Sequence, residues 1–407
     1  MDKSFSHKSS LLINDPVYGF TRIARGVLTD IVNHPLFQRL GRIRQLGLSS
    51  LVYPGAVHTR LQHSIGAYHL MSEALKTLVE KGIFIFDAEV EAAQAAILLH
   101  DIGHCAFSHV LERVFLPDVT HENITLQMIE QINEEFKGAL TLSIELLSAD
   151  CKKPFLHELI CSQLDVDRLD YLCRDSFFAG VREGNIGAAR IIRTLNVYDD
   201  HLVVEDKGLY SVENYLMSRR MMYWQVYLHK TVVAAEELLR STLRRAQTLV
   251  RNGHKLFASP ALSFFLTQDQ PQEYADWLDH YAELDDSDII SAIKVWQHCD
   301  DKVLSLLAEG FINRHLFKVE VFDASVPPSM LDEWKERVAT VLAISLADAD
   351  YFVTTRAVSK ELYSEQDDKI EILYHDQTIK DVAAVSRVIS PDDKHRMQKI
   401  YLCHYRL

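Results

Sequence analysis

The strongest constraint on this chain is a cluster of ionisable side chains at the end of an apolar helix. The longest apolar run, Ala92 to Leu99, is interrupted only by Gln94 and leads into Leu-Leu-His-Asp-Ile-Gly-His-Cys-Ala-Phe-Ser-His-Val-Leu-Glu, Leu98 to Glu112. Val90, Ala93, Ile97 and Leu98 recur at helical spacing, so the run predicts a helix with a buried face. A fold that buries that face carries His100 and Asp101 inward with it. His104, His109 and Glu112 follow closely, and burying so many ionisable groups is costly unless they hold a metal or a charged ligand. Gly103 stands where a C-cap would end the helix.

One His-Asp doublet cannot close a metal site, so further ligands must come from other elements. His63, in Thr-Arg-Leu-Gln-His-Ser-Ile-Gly, lies on a separate amphipathic helix marked by Leu61, Ile65, Tyr68, Leu75 and Leu78. Asp167, in Leu-Asp-Val-Asp-Arg-Leu-Asp-Tyr, lies on a third. Two imidazoles and two carboxylates form a mixed N/O set that suits Mn, Fe, Mg, Co, Ni or Zn without choosing among them. A set without thiolates points to a catalytic rather than a structural ion.

The rest of the chain sets the scaffold. From about Ser10 to Gly310 the pattern is helical, with a long helix expected from Tyr210 to Arg251. A small hairpin is expected at Asn196 to Leu209 around an Asp199-Asp200 turn. After Arg314 strands are expected at Leu316 to Phe322, Tyr351 to Thr354, Lys369 to Tyr374 and Ile400 to Cys403, with a helix from Ser329 to Ile344 after Pro327-Pro328. The expected fold is therefore mainly α: a helical body over residues 1–310 with a small β-hairpin, and a smaller C-terminal α+β lobe over residues 311–407.

Composition excludes several classes. The formal charge is −14, and a negative field of that size repels nucleic-acid backbones. It leaves room for a small anionic ligand in a local basic pocket. Arg240 to Lys255, with Arg244, Arg245 and Arg251, reads first as a solvated face or interface, with nucleic-acid binding left open as the lesser reading. No apolar run reaches the ~20 residues of a membrane span, and Met-Asp-Lys-Ser-Phe-Ser-His lacks the apolar core of a signal peptide. Cys105, Cys151, Cys161, Cys173, Cys299 and Cys403 are scattered without a C-x-x-C pair. Reduced thiols and a cytoplasmic location are expected.

His63, His100-Asp101 and Asp167 together resemble the H…HD…D signature of the HD-domain metal-dependent phosphohydrolases. The resemblance extends to the deoxynucleoside triphosphate triphosphohydrolase branch through Phe37 to Leu40, Arg44 to Gly47, Tyr53 to Ala56, His100 to His109, Thr120 to Glu122, Asp165 to Asp175, Tyr227 to Lys230 and Arg314 to Lys318. It covers about Asp15 to Lys318, and no SAM-type domain is expected ahead of the HD body. What it implies is hydrolysis of a dNTP at the α-phosphorus to deoxynucleoside and inorganic triphosphate, with His63, His100, Asp101 and Asp167 as ligands of a divalent ion.

The same resemblance implies the other roles. His104, His109, Glu112 and His121 serve proton transfer and α-phosphate stabilisation; His109 and Glu112, three apart on an expected helix, share a face. Arg60, Arg168, Arg219 and Lys230 match phosphate-contacting positions, where arginine suits bidentate contacts. Arg219, in the Arg219-Arg220 doublet, reads equally well as part of a solvated helix face. Gln45 and Asp175 match residues bonded to the 3′-hydroxyl, while Tyr171, Tyr227 and Leu46 match the wall that excludes a 2′-hydroxyl. From periodicity alone Tyr171 and Leu46 read as core packing.

Arg314 and Lys318 match positions that bind effector phosphates between subunits, which implies a homo-oligomer and a nucleotide effector. Asn33 and Gly41 stand where the guanine-reading acid and arginine would be, which argues against guanine-specific activation. Two alternatives stay open: a phosphohydrolase for another nucleotide such as a monophosphate, and a nucleotide-binding regulatory protein with little turnover.

Overall fold

The computed structural model describes residues 10–148, 151–268, 274–360, 369–388 and 397–407. It is mainly helical, with three small sheets. The first element among the described residues is a hairpin rather than a helix: β1 (Leu11–Asp15) pairs antiparallel with β2 (Gly19–Ile23). Asp15 Oδ1 accepts the N–H groups of Val17 and Tyr18 at 2.9 Å each and shapes the turn. The strands are too short for their two-residue alternation to stand out beside helical neighbours.

The site is carried by α1 (Arg60–Glu80), α2 (Asp87–Leu99), α3 (His121–Glu135) and α4 (Val166–Ala179). α1 packs against both α2 and α4. Small side chains permit the close approach: α2 buries Ala92, Ala93, Ala95 and Ala96 beside Ile97, Leu98 and Leu99. At Gly66 of α1 an added Cβ would lie 2.0 Å from Arg174 Nη2 and 2.1 Å from Asp170 Oδ1.

Gly103 has a different role from the expected C-cap. α2 ends at Leu99, with His100 in the capping position in right-handed conformation. A Cβ at Gly103 would fall 2.3 Å from the His121 carbonyl oxygen and 2.4 Å from the Thr125 nitrogen, so α3 leaves no space there for a side chain.

The hairpin at Asn196 to Leu209 is present as β3 (Leu195–Tyr198) and β4 (His201–Glu205). Asp199 and Asp200 have φ of 50° and 61°, as a two-residue type I′ turn requires. The single long helix expected from Tyr210 to Arg251 is divided: α5 (Leu209–Met222), a π-turn over Tyr223–Tyr227, and α6 (Lys230–Arg251). His229 is non-helical at φ −59° and ψ 128° and caps α6 by accepting the Thr231 N–H. No glycine or proline marks this break. π-turns gather at functional sites, and this one sets Tyr223 and Tyr227 at a cavity wall.

Further along, α7 (Asp286–Trp296) packs beside the Lys302–Ile312 helix. The C-terminal residues form β5 (Lys318–Phe322), α8 (Pro328–Leu342), β6 (Val353–Lys360), β7 (Glu371–Leu373), β8 (Ile379–Asp381) and β9 (Met397–His404). β5 and β6 flank β9, whereas β7 pairs parallel with β4. Residues beyond 311 therefore share a sheet with the hairpin of the helical body. No helix among the described residues is long and apolar enough to cross a membrane.

Candidate active site

A cavity of about 480 Å³ opens where α1, α2, α3 and α4 converge. His63 from α1, His100 from the end of α2 and Asp167 from α4 face one another there, with one ligand atom of each within 4.8 Å of the others. Asp167 Oδ1 lies 2.9 Å from His63 Nε2 and 3.5 Å from His100 Nε2. Asp101 stands at the edge of this trio. Its Oδ1 is 3.5 Å from His100 Nε2, and its Oδ2 is 3.7 Å from His63 Nε2 and accepts Arg60 Nη1 at 2.5 Å.

The hydrogen bonds behind the two imidazoles fit them to a metal ion. His63 Nδ1 donates to Asp170 Oδ2 at 2.7 Å, and His100 Nδ1 donates to the Ile97 carbonyl at 2.7 Å. Both acceptors require the proton on Nδ1, so each Nε2 presents a lone pair, the arrangement typical of metal-bound histidine. Both Nε2 atoms are buried and face the Asp167 carboxylate. Desolvation lowers the His63 pKa, but hydrogen bonds to Asp167 and Asp170 and the charge of Asp101 carry it up to about 10. The site thus calls for a positive charge among its carboxylates, which a divalent cation supplies as well as a proton does.

A second group of imidazoles lies beside the trio. His104 and His121 stack at 4.0 Å with 20° between their planes, and His109 meets them edge-on at 4.8 and 5.2 Å. His104, His109 and His121 each offer a nitrogen within 4.8 Å of the others. The stacked rings nevertheless hold their nitrogens in nearly parallel planes, which suits donation of ring N–H groups to an anion better than convergence of lone pairs on one ion. Glu112 Oε1 accepts both the His121 amide N–H at 2.8 Å and its Nδ1 at 2.7 Å. Its Oε2 lies 3.2 Å from His109 Nδ1. Burial works against ionisation of Glu112, yet His109 and His121 hold its carboxyl far below the ordinary range. Burial, Arg60 and His121 lower the His104 pKa well below the ordinary imidazole range, against the opposing pull of Asp101. The expected common helix for His109 and Glu112 is absent: His109 lies in a 3₁₀ turn, Ser108–Val110, and Glu112 starts a separate helix, Glu112–Phe115. They meet all the same.

The remaining expected residues divide. Gln45, Leu46, Arg60, Arg168, Tyr171, Asp175 and Tyr227 line the cavity. Gln45 Oε1 is buried and without a partner. Asp175 is held from both sides, by His58 Nε2 at 2.7 Å and the Tyr227 hydroxyl at 2.9 Å. Arg60 also donates to Ser108 Oγ at 2.8 Å, and Arg168 is ion-paired with Asp165.

Arg219 and Lys230 are outside the cavity lining. Arg219 is set over the Tyr223 ring with its Nη1 buried and unpartnered, and Lys230 is an exposed residue opening α6. Arg314 and Lys318 are exposed and outside the lining as well; Arg314 donates to the Leu51 carbonyl at 3.0 and 3.2 Å.

Sequence reasoning missed Asp170, His58, Tyr223 and Glu236, all of which either touch the expected site residues or line the cavity. Asp170 alone left a signal: it follows Asp167 by one helical turn. Arg174 Nε and Nη2 grip the Asp170 carboxylate at 2.9 and 3.0 Å, and Arg174 Nη1 reaches Asp15 Oδ2 of β1 at 2.8 Å.

Comparison with known proteins agrees with this geometry. Residues 60–175 match the HD domain, a stretch that contains His63, His100, Asp101 and Asp167, and residues 186–257 match the HD associated region. The chain belongs to the HD-domain phosphohydrolases. It is similar in structure to a phosphohydrolase from Bacteroides thetaiotaomicron VPI-5482, with a TM-score of 0.95 and 53% identity over 98% of this chain and 100% of that one. It is also similar to the uncharacterized protein YwfO of Bacillus subtilis, 34% identical over 77% of this chain and 72% of that protein. With deoxynucleoside triphosphate triphosphohydrolase SAMHD1 of Danio rerio it shares 27% identity over 58% of this chain and 45% of that protein.

Proposed function

We propose that this chain hydrolyses dNTPs to deoxynucleoside and inorganic triphosphate. The observation that carries the reading is the continuity of one cavity. It joins the His63, His100 and Asp167 trio to a wall of Leu46, Tyr171 and Tyr227 beside the unsatisfied Gln45 Oε1. A divalent ion held by His63, His100 and Asp167, with Asp101 adjacent, would supply acidified water and a polarised phosphoryl oxygen.

The chain's own groups do the rest. His109, backed by Glu112, gives a proton to the 5′-oxygen as it leaves. His104 and its stacked neighbour His121 hydrogen-bond the α-phosphate. Arg60 and Arg168 neutralise phosphate charge. Gln45 Oε1 accepts the 3′-hydroxyl proton, with Asp175 beside it. A 2′-hydroxyl pressed against Leu46 and Tyr171 would lose its water partners, which costs about 1–3 kcal/mol.

Arg219 and Lys230 lie outside the cavity lining, and this favours a second reading, a nucleotide with fewer phosphates such as a monophosphate. Product chromatography separates the two. The protein is incubated with each dNTP, rNTP and monophosphate in Mn, Fe, Co or Mg. Deoxynucleoside with triphosphate supports the first reading and orthophosphate the second. No product, with Asp167→Ala indistinguishable from wild type, leaves a nucleotide-binding protein with little turnover. The same reading places a nucleotide effector at Arg314 and Lys318 between subunits of a homo-oligomer; analytical ultracentrifugation showing one unchanged species with and without each dNTP would remove it.

A further inference from the structure

The loop that carries His104 and His109 is held by a segment far away in sequence. Tyr281 donates its hydroxyl to the Gly103 carbonyl at 2.8 Å. Arg39 bridges the Leu284 carbonyl, at 2.9 Å from its Nε, to the Ile102 and His104 carbonyls, at 3.3 and 2.9 Å from its Nη1. Asp285 is ion-paired with Arg42. Asp286, the first residue of α7, completes the series: its Oδ1 accepts the Phe107 N–H at 2.6 Å and its Oδ2 accepts the Arg44 N–H at 3.0 Å.

The two amides belong to two separate stretches of chain that lead into the cavity lining. Arg44 precedes Gln45 and Leu46. Phe107 precedes Ser108 and His109, and Phe107 and Ser108 both occupy the left-handed region, with φ of 54° and 57°. Two successive non-glycine residues there are strained and persist only where the surroundings determine them. Ser108 closes the same joint from inside, its hydroxyl donating to the Arg44 carbonyl at 2.8 Å. Asp286 is 8% exposed and lies outside both stretches matched to known families.

We propose that Asp286 is a positioning residue for the hydrolytic site: one carboxylate ties the turn bearing His109 to the turn bearing Gln45 and Leu46, and so sets the spacing between the proton-donating and sugar-facing sides. The proposal rests on the hydrolytic reading of this cavity. It predicts a defect confined to two loops. An aspartate that merely stabilises α7 would instead loosen the molecule evenly.

The test compares full-length wild type, Asp286→Ala and Asp286→Asn; the asparagine keeps one acceptor oxygen and serves if the alanine variant does not fold. Hydrogen exchange is read at the Arg44 and Phe107 amides and in the interior of α1. Metal content per chain and the separate values of kcat and KM for the best nucleotide are measured alongside. The expected result is about tenfold faster exchange at Arg44 and Phe107, with α1 unchanged. Metal content is unchanged, and kcat falls about tenfold to a hundredfold with little change in KM; asparagine lies between alanine and wild type. Unchanged exchange at both amides in either variant overturns the proposal, as does equal acceleration throughout the chain. If wild type hydrolyses no nucleotide, the hydrolytic reading fails, while the exchange pattern still decides whether Asp286 ties the loops.

Discussion

Asp170 accepts the Nδ1 proton of His63 at 2.7 Å, and both side chains are fully buried. That bond settles which nitrogen of His63 faces Asp167. It also makes His63 the end of a buried chain running back through Asp170 and Arg174 to Asp15 on β1. The N-terminal hairpin is therefore mechanically part of the site, since Asp15 accepts from Nη1 of a guanidinium whose Nε and Nη2 grip Asp170.

Asp170→Ala should weaken metal binding and folding together. Removing the partner that orients a metal-bound histidine costs about tenfold to a hundredfold in affinity. Breaking a buried ion pair costs about 3–5 kcal/mol, and the surviving Asp15 contact puts Arg174 toward the lower end. Isothermal titration with Mn and urea unfolding measure the two. Wild-type affinity in the variant would show that His63 needs no such support.

Gly66→Ala offers a sharper contrast, because alanine in a helix interior ordinarily gains about 1 kcal/mol over glycine. Here the new methyl would meet Arg174 Nη2 and Asp170 Oδ1 at 2.0 and 2.1 Å. Overpacking of this kind costs about 1–3 kcal/mol, and it falls on the pair that holds His63. Both the midpoint of thermal unfolding and metal affinity should drop. A more stable variant with normal metal content would mean that α1 and α4 have room to separate.

Chelation should lower stability through the trio alone. An ion bound only to the folded chain stabilises it by about 2.7 kcal/mol at a hundredfold excess over its Kd. Differential scanning fluorimetry with and without Mn should therefore show a metal-dependent rise in midpoint for wild type. His100→Ala and Asp167→Ala should show none. An equal rise in all three would place the ion elsewhere, for instance at His104, His109 and His121.

The parts of the site that could be read in the chain are those encoded within a turn or two of helix. His100-Asp101 follows its own apolar run, and His63 and Asp167 each carry a local helical pattern around them. Asp286 and His58 gave no such sign, because each matters through contacts made across the fold rather than along the chain. The phosphate contacts expected of Arg219 and Lys230 rest on resemblance alone and not on a local pattern; between the two residues a π-turn and the non-helical His229 break the helix expected from Tyr210 to Arg251. Nothing in Tyr223 to His229 resembles a breaker, so tertiary demand for two tyrosines at the cavity wall outweighed local propensity. β1 and β2 were missed for the opposite reason, too few residues to show a period.

The carboxyl of Asp286 gives stability a pH dependence that can be isolated. Burial pushes it up to about 6 from 3.8, against the Phe107 and Arg44 amides and the Arg44 charge that lower it, with Asp285 adding a little upward pressure. Between those values the folded chain holds a proton that the unfolded chain has released, so the contribution is fully present below pH 3.8 and is lost as pH rises through 6. The span corresponds to roughly 3 kcal/mol at most. Asp286→Asn is neutral at every pH and escapes this loss, although it forfeits one acceptor. Wild type should therefore exceed the variant in stability most clearly at pH 4.5, and the gap should narrow by pH 7.5. Urea unfolding of both proteins at the two pH values measures it, because the other carboxylates, Asp170 and Glu112 among them, cancel in the difference. A gap that widens toward pH 7.5 would mean that the two amides outweigh burial and hold Asp286 ionised well below pH 6.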